Sequence, residues 1–237
     1  MTPFLTAEWR RLVMVNFVVD PELLRPLVPM GTRLDAWQDR TYVSVVGFLF
    51  LGSRLWGVPV PFHARFEEIN LRFYVRRRHE DEDRRGVVFI REFVPKRAVA
   101  GVARWLYGEP YTACPTRHRI VDGAGDADLV EYGWRLHGAW HSVRAGDLAR
   151  AARPDPGSEE EFITEHYWGY TALDGGRSRE YEVRHPPWTV RRAGSGGLEC
   201  DVGAVYGPAF AEALRGEPSS IFVAEGSPVT VHRGRAL

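Results

Sequence analysis

Phe66–Val75 reads FEEINLRFYV, and its alternation decides the fold class. Glu68, Asn70, Arg72 and Tyr74 fall on one face, and Ile69, Leu71, Phe73 and Val75 on the other. That is the period of two that a β-strand imposes on its side chains. An acid, an amide, a guanidinium and a phenol in one row admit two readings. They are the wet side of a half-buried sheet, the commoner arrangement, or the polar floor of a cavity.

Working outward, Arg76–Gly86 (RRRHEDEDRRG) has no apolar content and reads as a charged hairpin tip without an assigned function. Val87–Val94 returns as a strand. Upstream, Arg11–Val18 is a β-branched run suited to a strand, and Asp20-Pro21 opens a short helix as N-cap and first helical residue. Arg33–Trp37 and Thr41–Leu51 read as a hairpin turning at Gln38-Asp39-Arg40. Downstream, Val99, Val102, Ala103 and Leu106 have helical spacing, so Ala98–Tyr107 is expected as a helix closed by Gly108 and Pro110. Leu129–Arg144 reads as one strand, and Ser158–Phe162 as a short helix with a Ser158/Glu161 capping pair. Residues 163–176 form a strand ending in an Asp-Gly-Gly turn, with Arg179–Ala193 as its hairpin partner, bent at His185-Pro186-Pro187. Ser219–Arg233 supplies a last strand, and the glycines of Gly175-Gly176 and Gly194–Gly197 fit turns better than a phosphate cradle. Many strands, few helices, no repeat and no long linker predict a single domain over residues 1–237.

Composition narrows the function. The net charge is zero and 44% of the 237 residues are hydrophobic, so no basic field points to nucleic acid. Cys114 and Cys200 lie far apart without a CxxC pair and are read as reduced. The start, MTPFLTAEWRRLVMVNF, has no uninterrupted apolar run, and no stretch approaches the length of a membrane span. The expectation is a cytoplasmic protein with a small-molecule partner, without nucleic acid or membrane.

One residue stands apart. Lys96 is the only lysine among 31 Lys+Arg residues, set between Pro95 and Arg97. A lysine, unlike an arginine, can lose its proton near neutral pH and attack a carbonyl. That requires a pKa drop of roughly 3 units from about 10.4, or about 4 kcal/mol. Burial and a neighbouring cation can supply it, and Arg97 is that neighbour; the alternative reading is a single lysine kept by chance on a surface turn. His63, close to Glu67 and Glu68 in sequence, is placed to line the same pocket. His137 and His141 would share a strand face, but no third ligand stands at diagnostic spacing, so no metal is expected. No cofactor is expected, and no serine sits in a nucleophile elbow.

Together FEEINLRFYV, the REFVPKRAVAGVARWLYGEPY segment, TEHYWGYT and the HPPW strand resemble the YqjF-like family, domain of unknown function 2071, from about Leu5 to about Val231. That family is placed in the acetoacetate decarboxylase-like superfamily. The resemblance implies an α+β fold, mostly antiparallel β, with curved sheets forming an open cone-like barrel around a pocket. It also implies a capacity for self-association. Acetoacetate decarboxylase carries its Schiff-base lysine in a Gly-Phe-Pro-Lys-Lys stretch, and it is the standard example of a lysine activated by a neighbouring cation. Phe93-Val94-Pro95-Lys96-Arg97 is similar, with Lys96 matching the nucleophile and Arg97 replacing the second lysine. Glu68 matches the pocket glutamate. Two functions from different classes follow. One is an enzyme taking a small oxo acid through an imine on Lys96, with Arg97 and Glu68 in catalysis and Arg72, Asn70, His63 and Tyr74 around the substrate. The other is a protein that only binds a small molecule in the same cavity.

Overall fold

The computed structural model describes residues 3–60, 65–95, 110–123 and 128–237. In chain order the strands of the first half are β1 (Leu5–Val19), β2 (Arg33–Leu34), β3 (Thr41–Leu55), β4 (Val58–Pro59), β5 (Arg65–His79), β6 (Glu82–Val94), β7 (Tyr111–Ala113) and β8 (Thr116–Val121). The second half adds β9 (Leu129–Leu136), β10 (Ala139–Leu148), β11 (Trp168–Leu173), β12 (Arg177–Arg184), β13 (Val190–Glu199), β14 (Ser220–Val231) and β15 (Arg235–Ala236). The described helices are short: α1 (Pro21–Leu24), α2 (Glu159–Thr164), α3 (Val202–Tyr206) and α4 (Pro208–Ala213), with a 3₁₀ turn at Arg25–Leu27. None is long and apolar enough to cross a membrane.

The strands form one sheet, antiparallel except where β6 meets β7 and β11. Its order runs β15-β12-β11-β6-β5-β3-β1-β14-β13-β10-β9-β8. Pairing of β12 with β14, through Val183↔Val231 and Arg184↔Thr230, joins the path back on itself. Strands β12, β11, β6, β5, β3, β1 and β14 therefore make a closed ring. The expectation of a mostly antiparallel sheet curved around a pocket is met. Residues on the ring's outer face, among them Val13, Val15, Val45, Leu71 and Phe73, share a core with Val130, Tyr132 and Trp134 of β9, Val143 of β10, and Val205 and Phe210 of α3 and α4. Strands β8–β10 thus fold back over the ring. Gly47 permits the approach, because a Cβ there would lie 2.8 Å from the Tyr132 side chain.

Long strands twist away from a curved wall unless their phase is reset, and three β-bulges do this here. In β1 the register against β3 slips between Arg10 and Val13, where Arg11 has φ 55°. Trp9 faces inward before the bulge and Leu12 after it. In β3 the slip lies opposite Thr6–Glu8, with Gly52 at φ 62°; Phe48 and Phe50 face inward before it, Ser53 and Leu55 after. In β6 the slip lies opposite Leu71–Arg72, so that Val87 and Phe89 are followed on the inner side by Glu92. An unbulged β6 would have turned Glu92 outward.

Several local expectations are corrected. Arg33–Trp37 is not the partner of β3. Leu34 pairs with Val75 of β5, and the Asp35 N–H donates to the Tyr74 carbonyl at 3.0 Å, because the cations that Asp35 meets lie on β5 and β6. Leu129–Arg144 is two strands rather than one, folded at His137-Gly138, both at positive φ as a two-residue hairpin turn requires. His137 therefore sits in a turn rather than on a strand face beside His141. Gly194–Gly197 lies within β13, not in a turn. There a Cβ on Gly196 would lie 2.3 Å from the Arg144 carbonyl, so its lack of a side chain lets β13 close on β10. Asp20 and Ser158 cap their helices as expected, and β11–β12 is the expected hairpin. The helix expected over Ala98–Tyr107 lies outside the described residues.

Candidate functional site

Inside the ring lies a cavity of about 200 Å³. Its walls are chiefly apolar, rings and aliphatic side chains together: Phe50 stacks on Phe66 at 4.9 Å, and Trp9 meets Phe48, Phe50 and Trp188 edge-on. Into this apolar space the strands deliver a few polar side chains, the usual composition of a small-molecule site. The polar face of β5 turns out to be the floor of a cavity, not a wet sheet face.

Glu68, Asn70 and Arg72 line the cavity from β5, and each is buried. Tyr111 Oη donates to Glu68 Oε2 at 3.3 Å, and Asn70 Nδ2 donates to Glu68 Oε1 at 3.4 Å. Across the ladder from Asn70 stands Glu92, with no exposed surface, also on the cavity wall. Arg72 is the unusual member. Its guanidinium donates weakly to the Ile163 carbonyl at 3.5 Å, approaches Met14 Sδ at 4.0 Å and lies 5.6 Å from the centroid of the Tyr74 ring. Its Nε has no hydrogen-bond partner, and among the described residues it forms no ion pair. Buried cations are ordinarily paired, which makes this one unusual.

Two histidines complete the wall. His166, just beyond α2, has its side chain 1% exposed and places Nε2 3.2 Å from Asp35 Oδ2. Burial lowers the His166 pKa to about 4 against the raising effect of Asp35, with the charges of Arg85 and Arg72 adding to the depression. Burial would raise Asp35, but its bonds with His166 and Arg85 outweigh it and hold the carboxyl at about 2. His185 stacks on Trp188 at 4.0 Å and gives Nδ1–H to the Pro186 carbonyl. Burial, aided by the Arg72 charge, brings its pKa to about 4.

The structure thus brings Glu68, Asn70 and Arg72 together. Tyr74 shares their face but does not line the cavity; its hydroxyl is 2.6 Å from Ser44 Oγ and its ring lies against His166. Lys96, Arg97 and His63 lie outside the described residues. The chain is described up to Pro95 and again from Pro110, and Glu92 and Tyr111, paired near these two ends, both line the cavity. Sequence reasoning missed Glu92, Tyr111, His166 and His185. His141 accepts the Asp201 N–H at 3.4 Å, and among the described residues no three His, Cys, Asp or Glu side chains are grouped to hold a metal ion.

A family model described as an uncharacterised conserved protein, domain of unknown function 2071, matches residues 6–228. The chain belongs to this family. The uncharacterised protein YqjF of Bacillus subtilis (strain 168) is 25% identical over 196 residues, which is 78% of this chain and 74% of that protein. Among solved structures, the enduracididine biosynthesis enzyme MppR with HEPES buffer bound has a TM-score of 0.72 at 18% identity, over 100% of this chain and 89% of that one. MppR complexed with the condensation product of pyruvate and imidazole 4-carboxaldehyde gives 0.70 at 18%, over 100% and 90%. Acetoacetate decarboxylase from Legionella pneumophila gives 0.71 at 14%, over 99% and 87%. At these identities the likeness shows an acetoacetate decarboxylase-like fold and no more.

Proposed function

We propose that this family member is an enzyme that takes a small 2-oxo acid through an imine on Lys96. The observation that carries the reading is the buried guanidinium of Arg72, without an ion pair among the described residues, in an apolar cavity that also holds Glu68 and Glu92. Arg72 would hold the substrate carboxylate by charge-assisted hydrogen bonds. Lys96, its pKa lowered by Arg97, attacks the carbonyl carbon; the carbonyl π pair passes to oxygen, which takes one proton from the amine and one from solvent and leaves as water while the nitrogen lone pair closes the C=N bond. The protonated imine then draws electrons from a neighbouring bond, and Glu68 moves the proton. Asn70 orients Glu68 and Tyr74 backs the wall; His63 is proposed as a further substrate contact.

The same geometry favours one branch of this chemistry. A carboxylate clamped by a cation is stabilised in the ground state, and leaving as neutral CO₂ would forfeit that stabilisation. Arg72 therefore suits aldol or dehydration chemistry with the carboxylate retained better than decarboxylation. MppR, bound to pyruvate and to a condensation product of pyruvate, is consistent with this. The largely apolar remainder of the wall, aromatic and aliphatic, favours the second reading, a binding protein without catalysis.

Trapping separates them. The protein is incubated with a panel of 2- and 3-oxo acids, reduced with borohydride and weighed intact, with Lys96→Arg as control. A stoichiometric mass gain that requires Lys96 supports the enzyme and names its substrate class. Absence of any adduct across the panel leaves the binding protein.

A further inference from the structure

Buried polar atoms without a hydrogen-bond partner on the described cavity wall include Trp9 Nε1 and Ser53 Oγ and, close to the Tyr74 ring or the β5 floor, Arg72 Nε, Asn70 Oδ1 and His166 Nδ1. Buried polar atoms in folded proteins are nearly always satisfied. The last three offer a ligand polar contacts that the protein itself does not make, and their chemistry is complementary. Arg72 offers a cationic donor. Asn70 is an acceptor, because its Nδ2 is spent on Glu68 and Oδ1 is the atom left over. His166 is an acceptor for a similar reason. The ionised Asp35 carboxylate can only accept, so Nε2 must carry the ring proton, and the neutral ring leaves a bare lone pair on Nδ1.

We propose that His166, positioned by Asp35, is the hydrogen-bond acceptor of this cavity and, with Asn70 and Arg72, selects carboxylates bearing a hydroxyl close to the carboxylate. His166 and Arg72 both lie against the Tyr74 ring, which places cation and acceptor on neighbouring parts of one wall. The groups facing His166 are Asp35, Arg85 and Arg72, with the rings of Tyr74 and Phe162 packed on it. None of them fills Nδ1.

The proposal rests on reading the cavity as the ligand site, and it sharpens the imine chemistry. A planar 2-oxo acid has no donor for Nδ1. When the Lys96 amine adds to the carbonyl, the new C–N bond forms, the π pair moves to oxygen and the amine proton passes to it. The carbinolamine that results carries an O–H beside the carboxylate. A stable 2-hydroxy acid presents the same pattern without a reaction.

The test uses 3-phenyllactate against 3-phenylpropionate and the O-methyl ether of phenyllactate, by calorimetry on the full chain carrying Lys96→Arg, so that no imine intervenes. The hydroxy acid is expected to bind about tenfold more tightly than either control, and His166→Phe is expected to erase the difference while carboxylate binding persists. A histidine ¹⁵N spectrum of the unsubstituted protein should show an Nδ1 resonance that moves on adding phenyllactate and not phenylpropionate, a readout that needs no substitution to fold. Equal binding of all three acids, a preference that survives in His166→Phe, or an unmoved Nδ1 resonance would overturn the inference while leaving the cavity reading intact. Failure of every carboxylate to bind would overturn the carboxylate site itself, and this inference with it.

Discussion

Arg72→Met should make the protein more stable and less able to bind. Methionine keeps the linear stem and removes the charge. A buried ion costs several kcal/mol in desolvation when nothing opposes it. Here the offsets are small: a 3.5 Å bond to Ile163, and a cation–π contact 5.6 Å from the Tyr74 centroid, worth about 1 kcal/mol. The new thioether would sit near Met14, already within reach of the guanidinium. A net gain of about 1–3 kcal/mol follows, or roughly 2–4 °C in Tm for each kcal/mol in a chain of this size. Carboxylate affinity should fall about 10- to 100-fold, the worth of one charged hydrogen bond. Because the Arg72 charge depresses both His166 and His185, their titrations should move upward in the variant. Urea melts, carboxylate titration and histidine NMR read the three effects separately. A variant less stable by more than about 1 kcal/mol that still binds carboxylates would refute the reasoning, because Arg72 would then be an architectural cation.

Acid should unfold the protein early. His166 and His185 have folded pKa values near 4, below the ordinary 6.5, so the unfolded chain takes up protons first as pH falls. Stability is then complete above about 6.5 and lost progressively towards pH 4, with His166 contributing about 3 kcal/mol; urea midpoints flat between pH 7 and 4.5 would contradict this. Gly226→Ala should cost at least about 3 kcal/mol, since the residue has φ 77° and a Cβ there would sit 2.0 Å from the Trp9 carbonyl oxygen; a melting temperature within 3 °C of the parent would show that the β1–β14 ladder yields.

What was legible in the sequence depended on where the strands change phase. In β5 no bulge interrupts Phe66–Val75, so alternation assigned Glu68, Asn70 and Arg72 to one face correctly; their neighbourhood decided only whether that face was wet. In β6 the same rule fails. Counting by twos from Val87 and Phe89 turns Arg91 inward and Glu92 outward, and the bulge opposite Leu71–Arg72 reverses both. A bulge stores no composition signal when its residues are Ile90 and Arg91, whereas Gly52 and Gly138 left traces that a stricter reading of isolated glycines could have used.

His166 was invisible for another reason, because its role is written in residues far from it. Asp35 reaches it from the loop after β2, and Arg76 and Arg85, from the segment read as an inert charged tip, reach Asp35 in turn. The bonds from His166 and Arg85 hold Asp35 ionised; the ionised carboxylate fixes the Nε2–H tautomer; and the tautomer leaves Nδ1 without a partner. Neutralising Arg85 would weaken that chain without touching the cavity. A charged stretch with no apolar content can therefore determine which ligand atom a buried site accepts, provided a single carboxylate carries its influence inward.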